Sequence, residues 1–348
     1  MTALATFARP LRPIPWRRMA WIVWRQHRLT LAGIAALLGA AGVYVLITGL
    51  RMQHAYAAVT GCQPAASNVC QQVANDFANS HGQGAGATAA VLQLMPALIG
   101  AFAGAPLLAR EFETGTFRYA WTQGFGRARW TVAKLVLLAV ALTLGAAAFG
   151  ALFSWAYRPA IGVDHYARSP LFPTMFDLRG VALPAWTLTA FTIGALAGVL
   201  IRRVIPAMFA TLATWSALAL ATGFYLRGHY EAPLVTSNPN IAPPAWIMSQ
   251  VWTHHGRPAS LSMINQALRP VGIQAVTPKE FQPGPGPHNV PDGFDPVQYL
   301  AHHGFTQLTT YQPAARFWPF QWIEAGWLLA ISVLLIVTTV WLVRRRAT

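Results

Sequence analysis

Six stretches of mostly apolar residues set the terms for this sequence: 29–50, 88–109, 131–156, 183–201, 204–226 and 321–343. Each is close to the ~20 residues with which an α-helix, rising about 1.5 Å per residue, crosses a hydrocarbon core about 30 Å thick. Charged residues are 10% of the chain, against about 25% in an average soluble domain, and hydrophobic residues are 55%. A chain of this make-up cannot cover its own surface with polar groups, so lipid is its expected solvent. The fourth and fifth runs are separated by Arg202 and Arg203 alone, which predicts a tight helical hairpin.

The basic residues give an orientation. The larger share of the 25 Lys and Arg lies before the first run, around 110–134, at Arg202 and Arg203, and at Arg344, Arg345 and Arg346. By the positive-inside rule that side is cytoplasmic, and both termini with it. The formal charge of +15 is then mostly a topology signal. Basic and aromatic residues are not combined in a nucleic-acid motif, so no nucleic-acid partner is expected. Residues 1–28 are too basic before the first apolar run to read as a signal peptide. Within them "PWRRMAWIVWRQHR" (15–28) reads as an amphipathic interfacial helix. At 100° per residue Arg17, Arg18, Arg25 and Arg28 share one arc and Trp16, Met19, Ala20 and Val23 another, fitting a helix in the headgroup plane against membrane lipid.

The other side carries three segments. Residues 51–87 hold both cysteines and end in "HGQGAGA", read as a flexible lead-in; residues 157–182 are short and polar; residues 227–320 are long enough for a folded cap. Cys62 and Cys70 close a small loop if the compartment is oxidising; otherwise they are two free thiols. In the cap, "SLSMINQALR" (260–269) has an N-cap serine with Leu261, Ile264 and Leu268 on one face. "DPVQYLAHHG" (295–304) has Asp at N-cap, Pro at N1 and Gly at C′, and "QPGPGPHNVPDG" between them is an irregular connector. The domains are therefore 1–28, 29–226 with a cytoplasmic element at 110–130, 227–320, and 321–348. The fold class is an all-α polytopic membrane protein.

The apolar runs offer little chemistry. Glu324 is their one carboxylate, expected at the outer edge of the sixth helix against headgroups or Arg316. The lack of an Asp/Glu/His relay argues against a proton-driven pump, and no paired half-helices mark a secondary carrier, although Pro96, Pro106 and Pro206 can kink their helices. No metalloprotease, nucleophile-elbow, CxxC or P-loop motif is present, so no metal, cofactor or catalytic residue is expected in this chain. The pairs His254–His255 and His302–His303 lack chelate spacing; with Asp292 and Asp295 they support only a second reading, a membrane enzyme with an outer site. Gly100-x-x-x-Gly104 and Gly194-x-x-x-Gly198 predict close helix contacts, within the bundle or across a dimer seam. Gln93, Phe209 and Trp215 are candidate side chains along a path.

The stretch "LLAREFETGTFRYAWTQGFGRARW" (107–130) concentrates two of the ten acidic residues beside an aromatic segment. Thr114-Gly115-Thr116 breaks the second helix and Thr116 can cap a new one, with Phe117, Ala120 and Trp121 on one face and Arg118 elsewhere. Glu111 and Glu113 are expected to project into the cytosol toward a basic partner.

This stretch resembles the cytoplasmic segment of ABC-2-type transporter permeases, especially the actinobacterial branch, and "TTYQPAARFWPFQWIEAGW" (309–327) resembles the lead-in to that branch's last helix. The resemblance covers the whole topology; the outer segment 227–320 departs from it by being longer than in smaller members. It implies that the short helix is a coupling helix seated on a separate ATPase, with Glu111, Glu113, Gly115 and Thr116 matching the family's acidic-Gly-Thr pattern. It also implies a bacterial plasma membrane subunit of an exporter, paired with a second permease chain, identical or related. Two ATPase subunits would hold the ATP and Mg, and the cargo would be hydrophobic or amphipathic. A membrane sensor that signals through 107–130 is a further alternative.

Overall fold

The computed structural model describes residues 16–64, 67–115, 127–159, 169–238, 241, 244–273 and 294–345. Six of its helices are long and apolar enough to cross a membrane, and the chain is an all-α polytopic membrane protein with a small mixed cap between the fifth and sixth. Helix α1 (Trp16–Thr60) is followed by α2 (Asn68–Leu92), a break at Gln93 and Leu94, α3 (Met95–Ile99), a π turn (Gly100–Gly104) and α4 (Ala105–Thr114), which together form the second span. Then come α5 (Arg127–Ala156), a single turn α6 (Pro173–Phe176), α7 (Ala182–Ile201) and α8 (Val204–Ala221), which runs on through a π turn to His229.

The first helix differs from the expected interfacial helix plus span. It is one continuous rod, because no Gly or Pro occurs between Trp16 and Ala32 to stop it. Its two arcs are real but differently used: Met19 and Val23 are buried against the bundle, while Arg17, Arg25 and Arg28 are exposed. The glycine-rich lead-in 81–87 is likewise helical rather than a flexible connector, forming part of α2. That helix starts at Ser67, whose hydroxyl accepts from the Cys70 amide at 3.2 Å. A Cys62–Cys70 disulfide ties it to the end of α1, and closing so short a loop contributes about 2.5 kcal/mol by the chain-entropy relation.

Helix α7 is buried over most of its surface, as befits a helix apolar all round; the second, third, fifth and sixth spans pack about it, while α1 packs on α5. Its hydroxyls do not go unpaired: Thr187 donates to the Leu183 carbonyl at 2.8 Å, and Thr189 meets Ser332 of the last helix at 3.0 Å. On one side it meets the second span backbone to backbone. A Cβ on Gly194 would lie 2.4 Å from the Gly100 carbonyl oxygen, and one on Gly104 would lie 2.4 Å from that of Phe191. Gly100 and Gly198 are as tight, at 2.5 Å from the carbonyls of Ala190 and Ala105. The four glycines thus form a seam inside one bundle. Gly194→Val is expected to force these helices apart at a cost of ~3 kcal/mol or more, read as a lower thermal midpoint in detergent; an unchanged midpoint would contradict a rigid seam.

The segment 169–181 is not a polar loop. Leu171, Met175, Phe176 and Leu178 are buried, so it tucks into the cap-side end of the bundle. Above it sits the cap, with β1 (Leu234–Thr236), β2 (Trp246–His254), β3 (Arg257–Pro258), α9 (Leu261–Leu268), α10 (Pro296–His302) and β4 (Phe305–Gln312). The strands form one antiparallel sheet in the order β1-β4-β2-β3, with Gln250 opposite Thr309 and a bulge between Ile247 and Ser249. Trp252, Ile264, Leu268, Leu300 and Phe305 make its small core. Both short helices are capped, Ser260 Oγ accepting from the Met263 amide at 3.3 Å and Asp295 Oδ1 from the Val297 amide at 2.9 Å. The last span, α11 (Phe317–Arg345), continues directly from this sheet. Gln312 staples the two parts, donating to the carbonyls of Gly228 at 3.1 Å and Glu231 at 2.9 Å.

Candidate functional site

A carboxylate in a membrane bundle must be paired or it will not stay charged. Glu324, in the second turn of α11, is fully buried and receives four donors. Arg227 Nε reaches Oε2 at 3.0 Å and Arg227 Nη2 reaches Oε1 at 2.8 Å, a forked pair. Trp186 Nε1 donates to Oε1 at 2.8 Å, and the Tyr230 hydroxyl donates to Oε2 at 3.1 Å. Arg227 Nη2 also donates to Asp177 Oδ1, and Gln93 Nε2 donates to Asp177 Oδ2. The guanidinium lies 4.1 Å from the centre of the Phe176 ring. Gln321, also fully buried, accepts from the Ala182 amide at 2.8 Å and donates to the Phe176 carbonyl at 3.0 Å.

One knot of charge thus gathers the cap-side ends of four spans. Gln93 brings the break in the second, Trp186 the fourth, Arg227 the fifth, Glu324 the sixth, and Asp177 the buried segment between the third and fourth. The expected placing of Glu324 at the headgroups is wrong, because a full set of donors inside the bundle solvates it; Arg316 pairs instead with Glu231 at 2.7 Å. Two carboxylates share one guanidinium here. Burial pushes the Asp177 carboxyl up to about 6, Arg227 opposes that and Glu324 adds to it. A carboxyl raised in the folded state favours folding while it is protonated. That contribution is present below about pH 4 and is lost as pH rises to about 6. Wild-type protein is therefore expected to melt lower at pH 7 than at pH 4.5, and Asp177→Asn should narrow the difference; an equal difference in the variant would place the effect elsewhere.

A second, smaller cluster sits at the basic end. Lys134, in the second turn of α5, is fully buried and donates to Glu111 Oε1; its ammonium lies 4.9 Å from the centre of the Trp130 ring. Gln26 of α1 donates to the same Glu111 oxygen at 3.4 Å. Glu111 therefore does not project into solvent as the sequence suggested. It points back into the bundle, where Lys134 on the next helix pairs with it. Glu113 is exposed, and its Oε2 accepts from the Val204 amide at 3.3 Å, at the start of α8. Here a carboxylate meets the positive end of a helix. Gly115 ends α4 in the left-handed conformation, φ +70°, the region glycine enters freely. Thr116, Phe117, Arg118 and Trp121 lie outside the described residues.

Of the candidate path residues, Gln93 belongs to the outer knot and Trp215 is packed edge-on against Trp186 with ring centres 5.7 Å apart. Phe209 points outward from α8 and is exposed. In the cap, Asp295 uses Oδ1 to cap α10, while Asp292 is outside the described residues. Among the described residues no three His, Cys, Asp or Glu side chains come together in a group that could hold a metal ion.

A family model described as ABC-2 membrane transporter related matches residues 35–227, more than half of the sequence. The matched stretch runs from the middle of α1 to Arg227, taking in Glu111, Lys134 and Asp177, whereas Glu324 and the cap lie beyond it. No curated protein matches, and no solved structure does. With six spans in the chain and the match running through five of them, the chain belongs to the ABC-2 membrane transporter related family.

Proposed function

We propose that the chain is the membrane-embedded permease subunit of an ATP-driven exporter, working with a separate ATPase that docks on residues 110–130. Family membership supports a permease-type subunit. The observation that carries the finer reading is the second span. It joins both charged clusters, with Glu111 and Gly115 at one end and Gln93 at the other, and it is keyed to α7 by the glycine seam between them. A push on 110–130 is delivered along this rod to the outer knot, which closes the bundle until it is pulled apart. Two permease chains, identical or related, enclose the path, and two ATPase subunits supply ATP and Mg. The orientation is the one that the basic residues favour, with both termini in the cytoplasm of a bacterial cell. The cargo is amphipathic or hydrophobic.

The test uses Arg118 and Trp121 of the proposed docking stretch and not Glu111, whose replacement damages the bundle itself. In membranes carrying the permease and its ATPase, Arg118→Glu with Trp121→Ala should leave the permease inserted but cut co-purification of the ATPase and its ATP turnover at least tenfold. Unchanged co-purification and turnover would remove 110–130 as the docking site.

A further inference from the structure

An apolar groove of about 420 Å³ runs between α1 and the second span, lined by Leu29, Gly33 and Leu37 on one wall and Leu98, Ile99 and Phe102 on the other. It opens sideways: Leu29, Leu37 and Phe102 are all exposed. Two features shape it. The π turn at Gly100–Gly104 shifts the helical register beneath Phe102, the kind of irregularity that recurs at functional positions. Gly33 leaves its floor bare, with no atom within 4 Å of where a Cβ would stand.

The groove has a polar end. Trp21, Arg25, Leu29, Gly33 and Leu37 are each four residues apart, so they follow one ridge of α1. The Arg25 guanidinium lies 5.3 Å from the centre of the exposed Trp21 ring. Arg28 is exposed at the same level, and the nearby Glu111 carboxylate is already taken by Lys134 and Gln26. Tryptophan beside arginine marks the depth of the headgroups, and the ridge above it is at the depth of the tails.

We propose that the groove and the Trp21–Arg25 step together bind one anionic phospholipid of the bilayer. One tail lies along Leu29, Gly33 and Leu37, and the phosphate meets Arg25. The site is independent of any ATPase, and it stands or falls apart from the exporter reading.

The probe is phosphatidylglycerol, titrated into the detergent-purified full chain and counted by native mass spectrometry, with phosphatidylcholine of the same tails as comparison. Wild type should hold one phosphatidylglycerol at least tenfold more tightly than phosphatidylcholine. Gly33→Leu adds bulk where a Cβ would meet no atom within 4 Å, so it should weaken both lipids about tenfold at an unchanged thermal midpoint. Arg25→Gln should abolish the preference, weakening phosphatidylglycerol about tenfold and phosphatidylcholine, whose choline cation offsets the same phosphate, much less. Equal wild-type affinities, or an unaltered affinity in Gly33→Leu, would overturn the proposal.

Discussion

Arg227→Met is expected to be the most damaging single replacement outside the glycine seam. It removes the one cation that two carboxylates share, and Glu324 is fully buried. Stripping one member from a buried ion pair costs about 3–5 kcal/mol, mostly because the partner's charge is left without compensation. Trp186 and Tyr230 still donate to Glu324 and soften the loss, but they carry no charge to balance it. The variant should melt far below wild type at pH 7 and recover part of the difference at pH 5, where Asp177 takes a proton. Combining Arg227→Met with Asp177→Asn and Glu324→Gln makes the knot neutral and should restore most of the lost stability. If the triple variant is as unstable as Arg227→Met, packing and not unpaired charge is responsible.

At the other end, Glu111→Arg should be nearly as severe. It places a second cation against the fully buried Lys134 and removes the acceptor of Gln26, again about 3–5 kcal/mol. The exchange Glu111→Lys with Lys134→Glu re-forms the pair and should regain at least half of the loss, read as the fraction of protein that stays monodisperse on heating. No regain would mean that geometry at this site, not charge, sets the stability. Glu113→Gln should do little, since that carboxylate is exposed and meets an amide at 3.3 Å.

How legible was this in the sequence? The spans were, because lipid demands a long apolar run and each of the six has one. The glycine pairs were too, since close backbone approach needs the missing Cβ. Their placement within one bundle was not, as spacing names no partner. The capped cap helices could be read from Ser260 and Asp295. The sheet between them could not, because the side of β4 that turns inward carries Phe305, Gln307 and Thr309 and so lacks the apolar alternation of a half-buried strand. The outer knot was hidden for a different reason. Arg227 sits 97 residues from Glu324 and 50 from Asp177, and no local period links them. The one signal was Glu324 itself: an intramembrane carboxylate asks for a cation, and Arg227 closes the fifth apolar run. Lys134 was placed among loop charges although it stands in the second turn of α5, where it donates to Glu111 of α4.

The central claim is that force applied beneath the bundle reaches the outer knot along the second span. Spin labels at Val91→Cys and Tyr225→Cys report on it directly: both positions are exposed, and they flank the knot from the second and fifth spans. With the ATPase bound, and labelled subunits diluted among unlabelled ones, ATP should shift the distance distribution between the two labels. Coincident distributions with and without nucleotide, while the ATPase turns over, would contradict the account.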